Sequence, residues 1–438
     1  MTSKPPLRSF LLACAFGAAS AAAACGSSTD DGPHAAAGAG NASAASAGVA
    51  GGSPSAGAPT GGGGTSGSSF AGSSFAGSSP AGGPGSGGAT AGQGGGSGAT
   101  SAGATSAGAG GGSAGSSGAA GGCPGPGGGP VTTSTTHLNI GVHDPSVIWN
   151  GSRYDLFATG GRLNIRSSTN LQQWTNVGNV FNTQPAWIAT TLGSAPADLW
   201  APDVSYFNCR YHVYYAGSSF GSNNSVIGLA TSPTLDSTSP DYKWTDQGQV
   251  VRSMTSDNYN AIDPNLAFDD AGDAWLSFGS FWSGIKLRKI DVATGKTSTT
   301  DTTLYSIAGR KPTDNNGAIE APSIISHNGF YYLFVSYDNC CNNVNSTYRT
   351  MVGRAPKITG PYTNKAGAAM TTGAAEQLLA TAGRYIGPGG GTAFKNGSTY
   401  LYAFHYYDGM DNGASKLQVR PINFDASDWP TLGDPLFP

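Results

Sequence analysis

The sequence is poor in charge. Only 11% of its 438 residues are Asp, Glu, Lys or Arg, and the formal net charge is −3. Binding to nucleic acid or to an anionic membrane surface needs clustered Lys and Arg, which this sequence does not supply. Sustained apolar periodicity of 3.6 residues is also missing, so we expect little helix. The N-terminal apolar run, 10–18, is too short to span a bilayer as a helix.

Charge is scarcest in the first 130 residues. This stretch holds 39 of the 69 glycines and four charged residues, namely Lys4, Arg8, Asp30 and Asp31. A segment of Gly, Ala, Ser and Thr cannot bury enough apolar surface to offset the entropy lost on ordering. We therefore predict that residues 26–130 form a disordered low-complexity linker, a flexible tether. The globular part would be residues 131–438, enough for one all-β domain.

Residues 1–25 have the pattern of an export signal. Lys4 and Arg8 precede the apolar run, and small residues at 20–24 follow it. Cys25 directly follows three alanines, which resembles a bacterial lipoprotein processing site. Two interpretations stay open: Cys25 carries a lipid anchor, or the signal is an ordinary secretory one. Both place the mature protein outside the cytoplasm, either extracellular or at the cell surface.

The globular part contains a degenerate repeat. Five stretches share a Pro near their start, a short strand, a polar turn and a second strand rich in aromatic and β-branched residues. The prolines are Pro145, Pro202, Pro264, Pro322 and Pro388. A period of about 60 residues leaves room for four strands, the size of a propeller blade. The repeat predicts a five-bladed β-propeller, and a β-sandwich or β-helix fits the spacing less well.

Closing such a ring gathers equivalent residues around one axis. At or near the marker prolines the repeats carry Asp144, Asp203, Asp263, Glu320 and Gly387. Asp before Pro is an ordinary turn starter. Glu320, however, is one of only two glutamates in the chain. Two carboxyl groups across a cleft, one protonated and one ionised, are what cleavage of a glycosidic bond requires.

These motifs resemble those of the family-43 glycoside hydrolases, and within them the endo-acting α-1,5-arabinanases. The resemblance spans residues 137 to about 435, and five motifs carry it: His143-Asp144-Pro145-Ser146, Leu199-Trp200-Ala201-Pro202-Asp203, Asn260-Ala261-Ile262-Asp263-Pro264-Asn265, Ile319-Glu320-Ala321-Pro322-Ser323 and Phe404-His405-Tyr406-Tyr407-Asp408-Gly409. It implies endo-hydrolysis of α-1,5-arabinofuranosidic linkages in arabinan, or in a pectic side-chain polysaccharide, with inversion.

The resemblance also implies roles for single residues. Asp144 would be the general base, Glu320 the general acid, and Asp263 the group that orients Glu320 and raises its pKa. Inverting enzymes hold base and acid about 6.5–9.5 Å apart, which leaves room for water. His405 would help to hold a calcium ion in the propeller channel, largely through waters. The residues expected to contact sugar are Trp200, Asp203, Gly221, Asn260, Ala261, Ile262, Asp263, Ser280, Phe281 and Trp282.

The cysteines leave alternatives open. Cys340-Cys341 matches a Cys-Cys pair in the arabinanases, and the two residues would form either a vicinal disulfide or two thiols near the cleft. Cys209 has no evident partner, and a bridge to Cys123 in the tether has no support from sequence. In one departure from the family, Gly390 stands where relatives often carry His.

Several other functions fit parts of the pattern. An exo-acting α-L-arabinofuranosidase or a β-xylosidase of the same family commonly carries an extra C-terminal β-sandwich. This sequence ends shortly after its fifth repeat, which favours the endo-acting type. A fructan-active propeller would need an Arg-Asp-Pro motif, which is absent from this sequence. A non-catalytic carbohydrate-binding propeller would be expected to lack one of the three acids, and all three are present. Only the tether suggests a structural surface protein. We expect a monomer.

Overall fold

The computed structural model describes residues 123–438. Within them, five antiparallel sheets follow one another along the chain, and strands consecutive in sequence are neighbours in each sheet, except that the fifth strand of the third sheet pairs with the third strand of that sheet. The blades are β1–β4 (Ser146–Trp149, Tyr154–Ala158, Asn164–Ser168, Thr175–Asn179), β5–β8 (Leu199–Phe207, Arg210–Gly217, Ser225–Ser232, Thr245–Ser253), β9–β13 (Asn265–Phe268, Ala274–Phe278, Ile285–Asp291, Lys296–Thr297, Tyr305–Ala308), β14–β17 (Ile319–His327, Phe330–Tyr337, Arg349–Ala355, Glu376–Leu379) and β18–β21 (Tyr385–Asn396, Thr399–Asp408, Ala414–Phe424, Pro430–Leu432). The prediction of an all-β five-bladed propeller is confirmed.

Helix is minor, as the missing periodicity predicts. In the described part of the chain, one α-helix, α1 (Ala186–Leu192), and three 3-10 turns (Asn315–Gly317, Asn343–Asn345, Met370–Thr372) lie in connections between strands. None of the helical segments within residues 123–438 has the length and apolar character that a membrane crossing requires.

The core is divided among the interfaces between blades. Five clusters of buried side chains each draw on two neighbouring blades, and one of them joins the last blade to the first. Aromatic and β-branched residues fill them because flat and branched side chains pack well on a pleated surface. The segment before β1 completes the closure: Leu417 N donates to Ile140 O at 2.9 Å, and Val142 N donates to Ser415 O at 3.2 Å.

One backbone conformation recurs in or just before the inner strand of each blade, the strand nearest the axis (β1, β5, β9, β14 and β18). Asp144, Ala201, Asp263, Ala321 and Gly390 all have φ between 43° and 56°, and all line a single opening on the axis. Pro follows the first four and Gly391 follows the fifth. The marker predicted at Pro388, with Gly387, is therefore wrong by three residues. Gly takes the position in blade five because it adopts a positive φ without strain.

Two residues further on, side chains of blades one to four form hydrogen bonds with the inner strand of the next blade. Ser146, Asp203, Asn265 and Ser323 accept backbone N–H groups of the following blade at 2.8–3.1 Å. Asp203 is only 3% exposed, and its other oxygen accepts from Asn265 Nδ2 at 2.9 Å. Burial raises the pKa of Asp203 to about 7, although both hydrogen bonds oppose the rise. Asp203 thus joins blades two and three, and both of its carboxyl oxygens accept hydrogen bonds within the scaffold.

Replacing Asp203 by alanine should lower the free energy of unfolding by about 1–3 kcal/mol, because two buried N–H donors lose their acceptor. Urea denaturation measures the change. Asp241→Ala is the matched control, since Asp241 is exposed and should unfold with wild-type stability. Equal stability of the two variants would contradict the role of Asp203 in joining blades two and three.

Residues 123–130, predicted as the end of the tether, lie against the propeller. Cys123 is disulfide-bonded to Cys209, with a Cα–Cα distance of 5.4 Å. Gly129 exchanges two hydrogen bonds with the Asn396 side chain, at 2.7 and 2.9 Å. The predicted signal at 1–25 and the tether up to residue 122 lie outside the described residues.

Candidate active site

Asp144 lies at the opening with hydrogen-bond donors around its carboxylate. Oδ2 accepts from Thr159 Oγ1 at 2.7 Å and is 2.8 Å from His143 Nδ1. The backbone N–H of Asp144 donates to His405 Nδ1 at 3.2 Å, and the rings of His143 and His405 stack at 3.7 Å between centroids. About 20% of the Asp144 side chain remains exposed, so a ligand can reach the carboxylate.

These neighbours keep Asp144 ionised. Burial alone would raise the pKa of its carboxyl, but the charge and hydrogen bond of His143, with help from His405 and Thr159, lower the pKa of Asp144 to about 2. His143 responds in the opposite sense. Burial would lower its pKa, yet Asp144 and Glu320 raise the pKa of His143 above its ordinary value.

Glu320 has the opposite environment. It is 8% exposed and accepts a hydrogen bond from Ser280 Oγ at 2.6 Å. Burial raises the pKa of Glu320 to about 7, the bond from Ser280 opposes the rise, and the charge of Asp144 adds to it. Glu320 is therefore a carboxylic acid that still holds its proton near neutral pH.

Asp263 sits beside Glu320. Its Oδ2 accepts the backbone N–H of Ala321 at 3.0 Å, which ties Asp263 to the strand that carries the glutamate. Burial, followed by the charges of Glu320 and Asp144, raises the pKa of Asp263 well above its usual range. Asp144, Asp263 and Glu320 thus meet at one opening, and their environments separate one ionised group from two that favour a proton.

The predicted sugar contacts divide into two groups. Trp200 and Phe281 are half-buried, Gly221 is exposed, and 40% of Trp282 is exposed; Phe220, next to Gly221 in the same connection, is 61% exposed. These lie at the same end of the ring as the acids, because Ala216 pairs with Trp200 just before the connection that carries residues 220 and 221. Asn260, Ala261 and Ile262 are instead buried.

Buried side chains hold these last residues in the scaffold. Asn260 Oδ1 accepts from Ser225 Oγ at 2.6 Å, and Ala261 N donates to Ser253 Oγ at 2.9 Å. Both contacts lie within the propeller, so the stretch before Asp263 supports the position of the acid from behind. Ser280, predicted as a sugar contact, is engaged with Glu320.

Sequence reasoning missed the residues that act on Asp144 from other strands. Thr159 and Tyr407 were not predicted, and His143 had no role beyond its motif. Tyr407 OH is 2.9 Å from His143 Nε2 and accepts the Cys341 N–H at 2.7 Å. In each blade, a residue in or just after the second strand faces the residue before the recurrent position, and these residues are Thr159, Ala216, Gly279, Ser336 and His405. Their types differ, so only the register of the repeat could have found Thr159.

Replacing His143 by alanine should move the acidic limb of the pH profile of kcat/KM to higher pH. Without the imidazole, burial dominates and the pKa of Asp144 rises, so more acid conditions no longer leave the carboxylate ionised. The profile is measured from pH 3 to pH 9. His137→Ala is the control, because the His137 ring is exposed and contacts the C-terminal residue Pro438. An unchanged acidic limb would mean that His143 does not set this pKa.

Both cysteine questions have an answer in the structure. Cys340 is disulfide-bonded to Cys341, with 3.8 Å between the Cα atoms, in the connection between β15 and β16. Cys341 Sγ lies 3.7 Å from His143 Nε2. The vicinal disulfide therefore borders the catalytic opening.

A propeller opening with one ionised and one protonated carboxyl is the equipment of a glycoside hydrolase. Comparison with known proteins agrees. The model of glycosyl hydrolases family 43 matches residues 137–430, and the chain belongs to that family.

Similar proteins cover the same region. The extracellular endo-α-(1→5)-L-arabinanase 1 of Bacillus subtilis is 44% identical over 294 residues, which are 66% of this chain and 87% of that protein. The extracellular exo-α-(1→5)-L-arabinofuranosidase ArbA of Cellvibrio japonicus is 36% identical, over 67% of this chain and 87% of that protein. The Cellvibrio cellulosa α-L-arabinanase, solved with arabinohexaose, superposes with a TM-score of 0.64 at 35% identity and covers 67% of this chain and 96% of its own.

Proposed function

We propose that this glycoside hydrolase is an extracellular or surface-tethered endo-α-1,5-L-arabinanase that inverts the anomeric centre. The observation that carries the proposal is the opposed ionisation of two carboxyls at one opening, with the pKa of Asp144 lowered to about 2 and that of Glu320 raised to about 7. The substrate class comes from the similar proteins, which are named for arabinan linkages.

In this mechanism the two carboxyls divide the proton transfers. Glu320 donates its proton to the departing sugar oxygen, while Asp144 takes a proton from the water that attacks the anomeric carbon. Asp263 holds the Glu320 strand through the Ala321 N–H, and burial together with the charges of Glu320 and Asp144 raises the pKa of Asp263 itself. Activity should fall as the pH rises through about 7, because Glu320 then loses the proton that it must donate.

Endo action is supported by the exposed aromatic side chains beside the opening. Phe220 and Trp282 belong to two different blades and present their rings to solvent, so sugars on more than one side of the cleaved bond have apolar faces to stack on. The alternative is exo action, the activity in the name of the Cellvibrio japonicus relative.

A calcium ion in the channel is part of the proposal. His405 is fully buried, and its Nε2 has no hydrogen-bond partner among the described residues. Its Nδ1 accepts the Asp144 N–H, and burial lowers the pKa of His405 well below its usual value. The neutral ring then carries its proton on Nε2, which fits a hydrated ion bound through water better than direct ligation. When bound, the ion would add positive charge near the carboxyls.

The test is a substrate screen over linear arabinan, sugar-beet arabinan, xylan and fructan. We expect mixed oligosaccharides from linear arabinan at the first time points, and a product whose first anomer, observed by proton NMR, is inverted. Release of arabinose alone from the first time point would establish the exo-acting alternative. No cleavage of either arabinan would end the proposal, and a retained anomer would end the mechanism.

A further inference from the structure

The vicinal disulfide brings two sulfur atoms to the histidine that tunes Asp144. The Sγ atoms of Cys340 and Cys341 and a ring nitrogen of His143 all lie within 4.8 Å of one another. Cys341 is exposed, and Cys340 and His143 are half-buried, so solutes reach this cluster from the cleft. Two cysteine sulfurs and one imidazole are the donor set of many zinc sites.

The orientation of His143 favours a metal on the side of the sulfurs. Its Nδ1 is 2.8 Å from Asp144 Oδ2, which leaves Nε2 facing Cys341 Sγ at 3.7 Å. Histidines that bind zinc usually donate their other ring N–H to a carboxylate in this way, because the bond fixes the tautomer and the direction of the free nitrogen. Tyr407 OH also faces Nε2, at 2.9 Å, and a metal would have to displace it.

We propose that reduction of the Cys340–Cys341 bond creates a zinc site formed by both thiolates and His143 Nε2. A dithiol reductant supplies two electrons and two protons, the S–S bond breaks into two thiols, and the dithiol closes to its own disulfide. Zinc then replaces the two thiol protons, which pass to solvent. Three protein ligands leave a fourth position for water. In an oxidising compartment the disulfide persists and the site does not form.

Zinc at this place opposes catalysis. The ion takes over His143 and withdraws it from Tyr407, while its charge beside Asp144 makes that carboxylate a weaker base. The zinc ion also occupies space at the wall of the cleft next to the Asp144 carboxylate. Only this inhibition rests on the proposed function; the binding of zinc does not.

Zinc binding is measured first, without any substrate. The protein is reduced with a phosphine, which becomes its oxide, freed of reductant under nitrogen, mixed with zinc chloride and passed through a desalting column. Atomic absorption should find one more zinc per chain than in the Cys340→Ser/Cys341→Ser variant treated in the same way. That variant keeps Cys123 and Cys209, so their thiols cancel from the comparison. Equal zinc in the two reduced proteins would overturn the proposal.

Two further measurements assign the ligands and the effect. His143→Ala should raise the Kd for zinc of the reduced protein by at least about tenfold, since even an outer partner of a zinc ligand is worth about 10–100-fold. An unchanged Kd would remove His143 from the site. Zinc should inhibit the reduced enzyme and not the oxidised one, with recovery on a zinc-selective chelator; equal inhibition of both would place the inhibitory zinc elsewhere.

Discussion

Replacing Glu320 by glutamine should lower kcat by about 10²–10⁴-fold on a substrate with a poor leaving group, because the amide cannot donate the proton that the departing oxygen needs. The shape of the side chain and the bond from Ser280 both permit the change without loss of fold. The initial rate of oligosaccharide release measures it. Circular dichroism and thermal unfolding check that the variant folds.

The chain offers a matched control for this substitution. Glu376, the other glutamate, lies in the outermost strand of blade four and accepts the backbone N–H of Lys365. Glu376→Gln should retain wild-type turnover. Asp144→Asn should lose activity to a similar extent as Glu320→Gln, because water then lacks its base. Wild-type rates in both active-site variants would refute the assignment of acid and base.

Replacing Gly390 by alanine should lower kcat by about 10²-fold, the cost expected when a catalytic group is displaced by about 1 Å. A Cβ at this position would lie 2.6 Å from Asp144 Oδ1 and 2.5 Å from His405 Cε1. Both atoms must move, and the carboxylate of the base moves with them. The change is measured as kcat on a soluble arabinan, with KM determined in parallel.

A second glycine separates this clash from backbone strain. Gly383 has φ +58, close to the φ +56 of Gly390, but an added Cβ there meets nothing within 4 Å. Gly383→Ala should therefore carry a similar strain in a connecting segment and retain its turnover. If Gly390→Ala also retains turnover, the close approach to Asp144 has no consequence for catalysis.

The architecture follows from the sequence because its signal is repeated five times. Hairpins rich in Tyr, Phe and β-branched residues at a period of about 60 leave few alternatives to a ring of blades. The error in blade five arose from using Pro as the marker. Blade five meets the same backbone requirement with Gly390 and Gly391, so Pro388 marks a different point of the strand.

The four acids near the start of blades one to four lie in different surroundings for a geometrical reason. Asp144 and Asp263 occupy the shared position itself, and Glu320 comes one residue before it, where the strand pairs with Ser336. Asp203 comes two residues after its counterpart, Ala201, and so points into the contact with the next blade. A shift of two residues along the strand therefore separates a carboxyl group at the opening from one that joins two blades.

Other parts of the site depend on contacts that no local pattern encodes. Tyr407 reaches His143 from a strand that is 264 residues away in sequence. The bond between Cys123 and Cys209 closes a separation of 86 residues. Such partners are defined only once the ring closes.

The bond to Cys209 also gives the molecule a polarity. β5 begins beside the carboxyl-lined opening and ends at Phe207, so the turn that holds Cys209 is at the far end of the blade. Cys123 is therefore fixed at the face of the propeller opposite the opening. A glycan chain that lies over the opening would not cross the disulfide, because the two are on opposite faces of the ring.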